Sequence, residues 1–354
     1  MKSGFVSLVG RPNVGKSTLL NSILGMKIAI TSDVAGTTRN IIQGIYNDED
    51  SQIIFVDTPG VHKPQNKLGS YLNKKAYTMS DDVDIVLFLI DASTSFGKGD
   101  KFILDRIKEL NKPIFLLLNK VDKIPKEVLL EKIMKYKDLY DFAEIIPVSA
   151  LKNDNVDDLI KTLKKYLKSD IKYYDDNTIT NVSRNFIIAE LVREKVLYLT
   201  KEEVPHSVTC LVENYTEEDN HINISVLIIV DRENLKKIII GHQGNMIKEI
   251  GKRARIDIEN FLGKKIYLET YVKVVKNWRD KEKYLQEFGL DELEFWLNKN
   301  IIYHNIIGDI MNKIIWELFK KTGDIKYFLL FKNLEGEVHE NKENRSNSNK
   351  WKRV

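Results

Sequence analysis

One cysteine, Cys210, stands among 354 residues. A single thiol forms no intrachain disulfide, so a reducing cytosol is the expected compartment. The six histidines (His62, His206, His221, His242, His304 and His339) fall in no metal-ligand spacing, and no structural zinc is expected. Long hydrophobic runs are also missing. Ile85-Val86-Leu87-Phe88-Leu89-Ile90 falls far short of the ~20 residues that span a bilayer and reads as a buried parallel strand. Met1-Lys2-Ser3-Gly4 leads straight into an apolar strand, without the length or cleavage site of a signal peptide. Neither charge dominates: 55 Lys and Arg face 51 Asp and Glu, a net of +4. That balance excludes a histone-like polycation but leaves room for a local basic patch. No internal repeat is visible.

What is present has a clear rhythm. Residues 1–168 alternate apolar strands with amphipathic helices. The strands are predicted at Phe5–Val9, Ile53–Val56, Asp84–Ile90, Pro113–Leu118 and Glu144–Val148, and helices between them include Lys98–Leu110 and Val156–Leu167. This predicts an α/β domain with a mostly parallel sheet and helices on both faces. Residues 169–185 are polar and read as a linker. Residues 186–283 predict a small α+β domain: helix 186–200, strands 207–215 and 222–230, helix 233–240, a Gly-x-x-Gly turn, helix 245–262 and strand 265–275. In residues 284–335, Ile302, Ile306, Ile310, Ile314 and Leu318 recur at a helical period, and Ile325–Phe331 looks like a strand. The polar residues 336–354 are expected to be disordered.

Gly10-Arg11-Pro12-Asn13-Val14-Gly15-Lys16-Ser17, continued by Thr18, fits the phosphate-loop pattern between a strand and a helix. Its glycines let backbone N–H groups converge on an anion, and the helix dipole adds to the attraction. Lys16 is expected to reach the β- and γ-phosphates, and the Ser17 hydroxyl to ligate Mg²⁺. Asp57-Thr58-Pro59-Gly60 ends an apolar strand. There Asp57 would hold Mg²⁺ through a water and Gly60 would offer its N–H to the γ-phosphate. Asn119-Lys120-Val121-Asp122 reads the base: the Asp122 carboxylate accepts from guanine N1–H and the exocyclic amine, which adenine cannot supply, a discrimination of roughly 10⁴. Asn119 and Lys120 brace that loop, and Ser149-Ala150 is the expected backbone contact to guanine O6.

Gly36-Thr37-Thr38-Arg39-Asn40 occupies the place of a first switch, with Thr38 the second Mg²⁺ ligand. The candidate catalytic groups are therefore Lys16, Thr38 and Gly60. In Ras-like GTPases a glutamine after the Asp57–Gly60 segment orients the attacking water. Val61 cannot do this, so slow intrinsic turnover is expected, on the order of 10⁻⁴–10⁻² s⁻¹. Asn13 is a candidate ligand for a K⁺ ion that would assist, although an asparagine that only stabilises the loop is as good a reading. Arg39 could supply positive charge, but a solvated surface arginine is the simpler expectation.

Gly241-His242-Gln243-Gly244 joins two helices in a helix–strand–strand–helix–turn–helix–strand order. That is the order of a type II KH domain, whose turn clamps about four single-stranded nucleotides. Residues 231–283 hold 14 Lys and Arg against 8 Asp and Glu, so the positive excess is local. Gly241, His242, Gln243, Gly244, Lys248, Lys252 and Arg253 are the candidate RNA contacts.

Together these segments resemble the Era-like family, GTPases with a C-terminal KH domain. The resemblance covers residues 1 to about 283. It also rests on Ile179-Thr180-Asn181, Ala189–Val196, Glu203–Val208, Ile239–Gly244 and Val272–Arg279. It implies binding of the 3′ end of small-subunit ribosomal RNA, a role in maturing that subunit, and a pool peripheral to the inner membrane; a monomer is expected. Era-like chains usually end soon after the Asn277-Trp278-Arg279 region, whereas about 70 residues follow here. They are read most simply as a lid on the second domain. The alternative function is a GTP-gated adaptor that docks a protein partner or membrane through this extension.

Overall fold

The computed structural model describes residues 1–34, 36–60, 67–70, 72, 83–218 and 221–290. Val61, the stripe from Ile302 to Leu318, the strand expected at Ile325–Phe331 and the tail 336–354 lie outside the described residues. The chain divides into two compact units, Met1–Leu290 and Asp291–Val354. Everything below concerns the first.

Six strands form the first sheet: β1 (Lys2–Gly10), β2 (Ile42–Asn47), β3 (Ser51–Asp57), β4 (Ile85–Asp91), β5 (Ile114–Asn119) and β6 (Glu144–Val148). Their order is β2-β3-β1-β4-β5-β6, and only β2 runs antiparallel to its neighbour. The central strands are continuous apolar runs because both faces are covered. On one face Val6, Leu8, Phe55 and Leu87 pack with Leu19 and Leu20 of α1 (Lys16–Leu24) and Leu159 and Leu163 of the helix Val156–Tyr166. On the other, α2 (Lys98–Ile107) lies against β1 and β4. The helix expected to end at Leu110 passes into a 3₁₀ turn at Lys108–Leu110. α3 (Lys126–Tyr136) lies between β5 and β6, and the helix Val156–Tyr166 is α4.

One sequence expectation needs correction: the strand list omitted β2. The stretch 169–185, read as a linker, lies along the free edge of β2. The Ile45 N–H donates to Ile179 O (2.8 Å), the Asn47 amide to Asp176 O (3.0 Å) and the Tyr174 hydroxyl to Gln43 Oε1 (2.6 Å). Its polar residues satisfy an edge that would otherwise expose unpaired backbone.

The second domain opens with α5 (Arg184–Leu199), whose N-cap Ser183 accepts from Phe186 N–H. There follow α6 (Val204–Ser207), β7 (Val208–Glu217), β8 (Ile222–Val230), α7 (Glu233–Ile240), α8 (Asn245–Leu262), β9 (Ile266–Val274) and α9 (Glu282–Glu287). β7 and β8 are antiparallel, and β8 and β9 parallel. Val226 and Ile228 of β8 pack under Ile188 and Val192 of α5 and Ala254 and Ile258 of α8. Leu227 and Ile229 face the other way, onto Trp278, Phe288 and, from the first domain, Leu68 and Leu72. Ile30 of the first domain is likewise buried in the core of the second.

Candidate functional site: a phosphate cradle with a second domain at its mouth

The ends of β1, β3, β5 and β6 converge on a cleft of about 260 Å³. Asn13, Gly15, Lys16, Ser17, Thr18, Thr38, Gly60, Asn119, Lys120, Asp122 and Ala150 all line it. Eleven of the residues expected to meet nucleotide or metal are thus brought together from five separate stretches of chain.

The cradle is built by local geometry. Gly15 has φ of +99°, and a Cβ there would stand 2.2 Å from Asn119 Nδ2, so only glycine fits. Gly15 is also the N-cap of α1 and makes no side-chain cap, which leaves first-turn N–H groups directed at the cleft. Lys16 is buried, its ammonium donating to Gly10 O (3.1 Å) and Arg11 O (3.0 Å). Burial pulls its pKa down to about 8, partly offset by the charge of Asp57. Burial also pushes Asp57 up to about 6, against the pull of Lys16 and the Ser17 hydrogen bond. A polyphosphate and its cation would supply the charges that both groups lack.

The residues fit Mg²⁺. Ser17 Oγ lies 2.9 Å from Thr38 Oγ1 and donates to Asp57 Oδ2 at 2.6 Å. The other carboxylate oxygen, Asp57 Oδ1, is buried with no hydrogen-bond partner. Three hard oxygen donors with one unsatisfied are what a hard divalent ion requires.

The base-reading end is braced from several sides. Asn119 Nδ2 donates to Val14 O (2.7 Å), and Lys120 Nζ to Asn13 O (2.6 Å) and Asp91 (2.8 Å). Asp91, at the end of β4, carried no motif in sequence. Ser149 Oγ donates to Asp122 Oδ1 (2.5 Å), so Ser149 orients the carboxylate with its side chain. The Ala150 N–H, expected to meet guanine O6, donates here to Asn119 Oδ1 (3.0 Å), because a buried N–H takes the nearest acceptor. Thr58 is a correction: its hydroxyl turns away from the cleft to donate to Leu8 O (2.8 Å), pinning β3 to β1. The Val14 side chain likewise belongs to the core.

Arg39 is neither a surface arginine nor a phosphate ligand. It is 5% exposed, and its guanidinium donates to Val208 O (2.6 Å) and Pro205 O (3.1 Å) of the second domain, over the Trp278 ring. Burial first, then the charge of Arg193, lowers its pKa. Arg193 of α5 is fully buried, paired with Glu190 (2.6 Å), and donates in the reverse direction to Thr37 O. Beside it, Glu194 accepts from Thr31 N–H (3.0 Å) and pairs with Lys27 (2.6 Å).

In the second domain Gly241, Gln243 and Gly244 hold φ of +71°, +52° and +76° and form a tight turn between α7 and α8. His242, Gln243, Lys248, Lys252 and Arg253 are exposed around it, with Arg253 paired to Glu249 (2.6 Å). This cluster lies apart from the cleft on the same chain.

The family model for "50S ribosome-binding GTPase" matches residues 5–120, and the KH domain model matches residues 203–279. Among solved structures, Aquifex aeolicus Era bound to GDP and aluminium fluoride is 44% identical. The match covers 82% of this chain and 99% of that one, with a TM-score of 0.79. A structure of Era with MgGDPNP and nucleotides 1506–1542 of 16S ribosomal RNA matches with the same identity, coverage and TM-score. Fold and cleft therefore define a phosphate-loop GTPase carrying a KH domain. At that identity, over nearly the whole length of its relatives, the chain belongs to the Era family. No helix among the described residues is long and apolar enough to cross a membrane.

Proposed function

We propose that this GTPase binds the 3′ end of small-subunit ribosomal RNA and assists its processing and the assembly of the small ribosomal subunit, with GTP setting when it does so. One observation carries the coupling. Thr38 Oγ1 reaches Ser17 in the metal cluster, while Thr37 O and the Arg39 guanidinium on either side bond to the second domain. Three consecutive residues thus join the γ-phosphate end of the cleft to the RNA-binding domain, and ordering Thr38 with GTP and Mg²⁺ fixes both neighbours. Ser17, Thr38 and Asp57 hold Mg²⁺; Lys16 and the Gly60 N–H meet the transferring phosphate; Asn119, Asp122 and Ala150 take the guanine. Asn13 is the K⁺ ligand in this reading. Its amide lies 2.5 Å from Asp33 O, and with the amide reversed the two oxygens would face one cation. Gly241–Gly244 with Lys248, Lys252 and Arg253 clamps the RNA.

Residues 1–168 and 186–283 act as the two domains of a cytoplasmic monomer, with a pool peripheral to the inner membrane. Changing His242 and Gln243 together to Asp is expected to weaken binding of single-stranded ribosomal 3′-end RNA at least about tenfold. Unchanged affinity would sink the clamp. GTP turnover measured with and without that RNA, in K⁺ and in Na⁺, tests the switch and the cation together.

A further inference from the structure

The nucleotide cleft is not lined by the first domain alone. Tyr198, on the last turn of α5, is one of the residues that line it, as Thr31, Ser32, Lys123 and Leu151 are. Its placement is fixed. Glu194 sits one helical turn earlier on the same face and is held by Thr31 N–H (3.0 Å) and Lys27 (2.6 Å). Lys195, tied to Glu194 (2.7 Å) and Asp257, brings its ammonium to 5.9 Å from the Tyr198 ring. Yet Tyr198 is 56% exposed, in a helix whose other large apolar residues are mostly buried. A tyrosine that is more than half exposed and borders the cleft offers an aromatic face and a hydroxyl to what the cleft holds.

We propose that Tyr198 is a nucleotide-contacting residue supplied by the RNA-binding domain, covering the sugar and base end of the bound guanine nucleotide. The same lining includes positions at that end. Lys123 and Leu151 each adjoin a base-reading residue, Asp122 and Ala150. Thr31 lies upstream of Asp33, which meets Asn13 over the phosphate loop. Nucleotide release then requires α5 to withdraw, so the second domain controls exchange through one side chain. The step is binding only, and the γ-phosphate end is untouched. The inference rests on reading the Gly10–Ser17 loop as the nucleotide site.

The test is release of tritiated GDP from the full chain, since a label on the ribose would occupy the same wall. Tyr198→Ala is expected to release GDP about fivefold faster, as the loss of one aromatic contact implies. Tyr198→Phe should stay near wild type, and single-turnover GTP hydrolysis and the melting temperature of Tyr198→Ala should not move. In a Glu194→Ala background, where α5 loses the acceptor of the Thr31 N–H, Tyr198→Ala should add nothing. Release from Tyr198→Ala at the wild-type rate overturns the proposal, as does a full additional effect in the Glu194→Ala background. A wild-type chain that retains no GDP would overturn the nucleotide site itself, a different and separable failure.

Discussion

The nucleotide cleft and the Gly241–Gly244 turn bind by opposite means. In the cleft almost every polar group already has a protein partner: Lys16 on two loop carbonyls, Asn119 on Val14, Lys120 on Asp91, Ser149 on Asp122. At the turn, His242, Gln243, Lys248 and Lys252 stand exposed. The first site is preorganised and pays little to reshape itself, so its selectivity comes from geometry. The second offers charge and an accessible backbone, so its affinity comes from counterion release.

The largest effect should come from breaking the geometry. Asp122→Asn replaces one of the two acceptor oxygens by an NH₂ that faces a guanine donor, and GTP affinity should fall on the order of 10³-fold or more in calorimetry. Next comes the seam between domains. Arg39→Ala removes the donors to the carbonyls of Pro205 and Val208. It should cost about 2–3 kcal/mol in urea unfolding. Arg39→Lys should recover little, because one ammonium cannot span the same acceptors. Third, Lys248→Ala with Lys252→Ala should weaken single-stranded RNA binding about tenfold and reduce the slope of log K against log salt by about 1.4, with GTP binding unaffected. A slope that does not change would erase the contrast between the sites.

The smallest effect is a pH dependence of the seam. Hydrogen bonds to Lys195 and Lys27, outweighing burial, hold the Asp257 carboxyl below its ordinary 3.8. A depressed folded-state pKa means that its stabilisation is present above that value and is lost as pH falls through the folded one. Asp257 is partly exposed, so Asp257→Asn should cost less than about 1 kcal/mol at neutral pH, and less still in acid.

The cleft was legible in sequence because its chemistry demands fixed residue types at strand ends, whatever the rest of the chain does. Strand β2 was not. Gln43 and Gly44 interrupt its apolar pattern, and Gly44 is there because a Cβ would stand 2.6 Å from Leu20 and Leu24. Arg39 was misjudged for a different reason. Its partners are backbone carbonyls of residues 205–208, and a carbonyl leaves no mark on the identity of the residue that carries it. Tyr198, Arg193 and Glu194 form part of a helix whose sequence marks none of them out until its neighbour is in place. The polar stretch 169–183 gave the composition of a loose tether, and only the edge of β2 explains those side chains.

That stretch also sets a length scale. Its last bond to the first sheet joins Asn181 N–H to Gln43 O, and the cap of α5 is Ser183. If the zipped portion holds, the free leash is two residues, about 7 Å when taut. A domain so tethered can rock but cannot wander. When it lets go of Thr31 and Thr37 it pivots about that short leash, and re-closure becomes a matter of local concentration rather than of search.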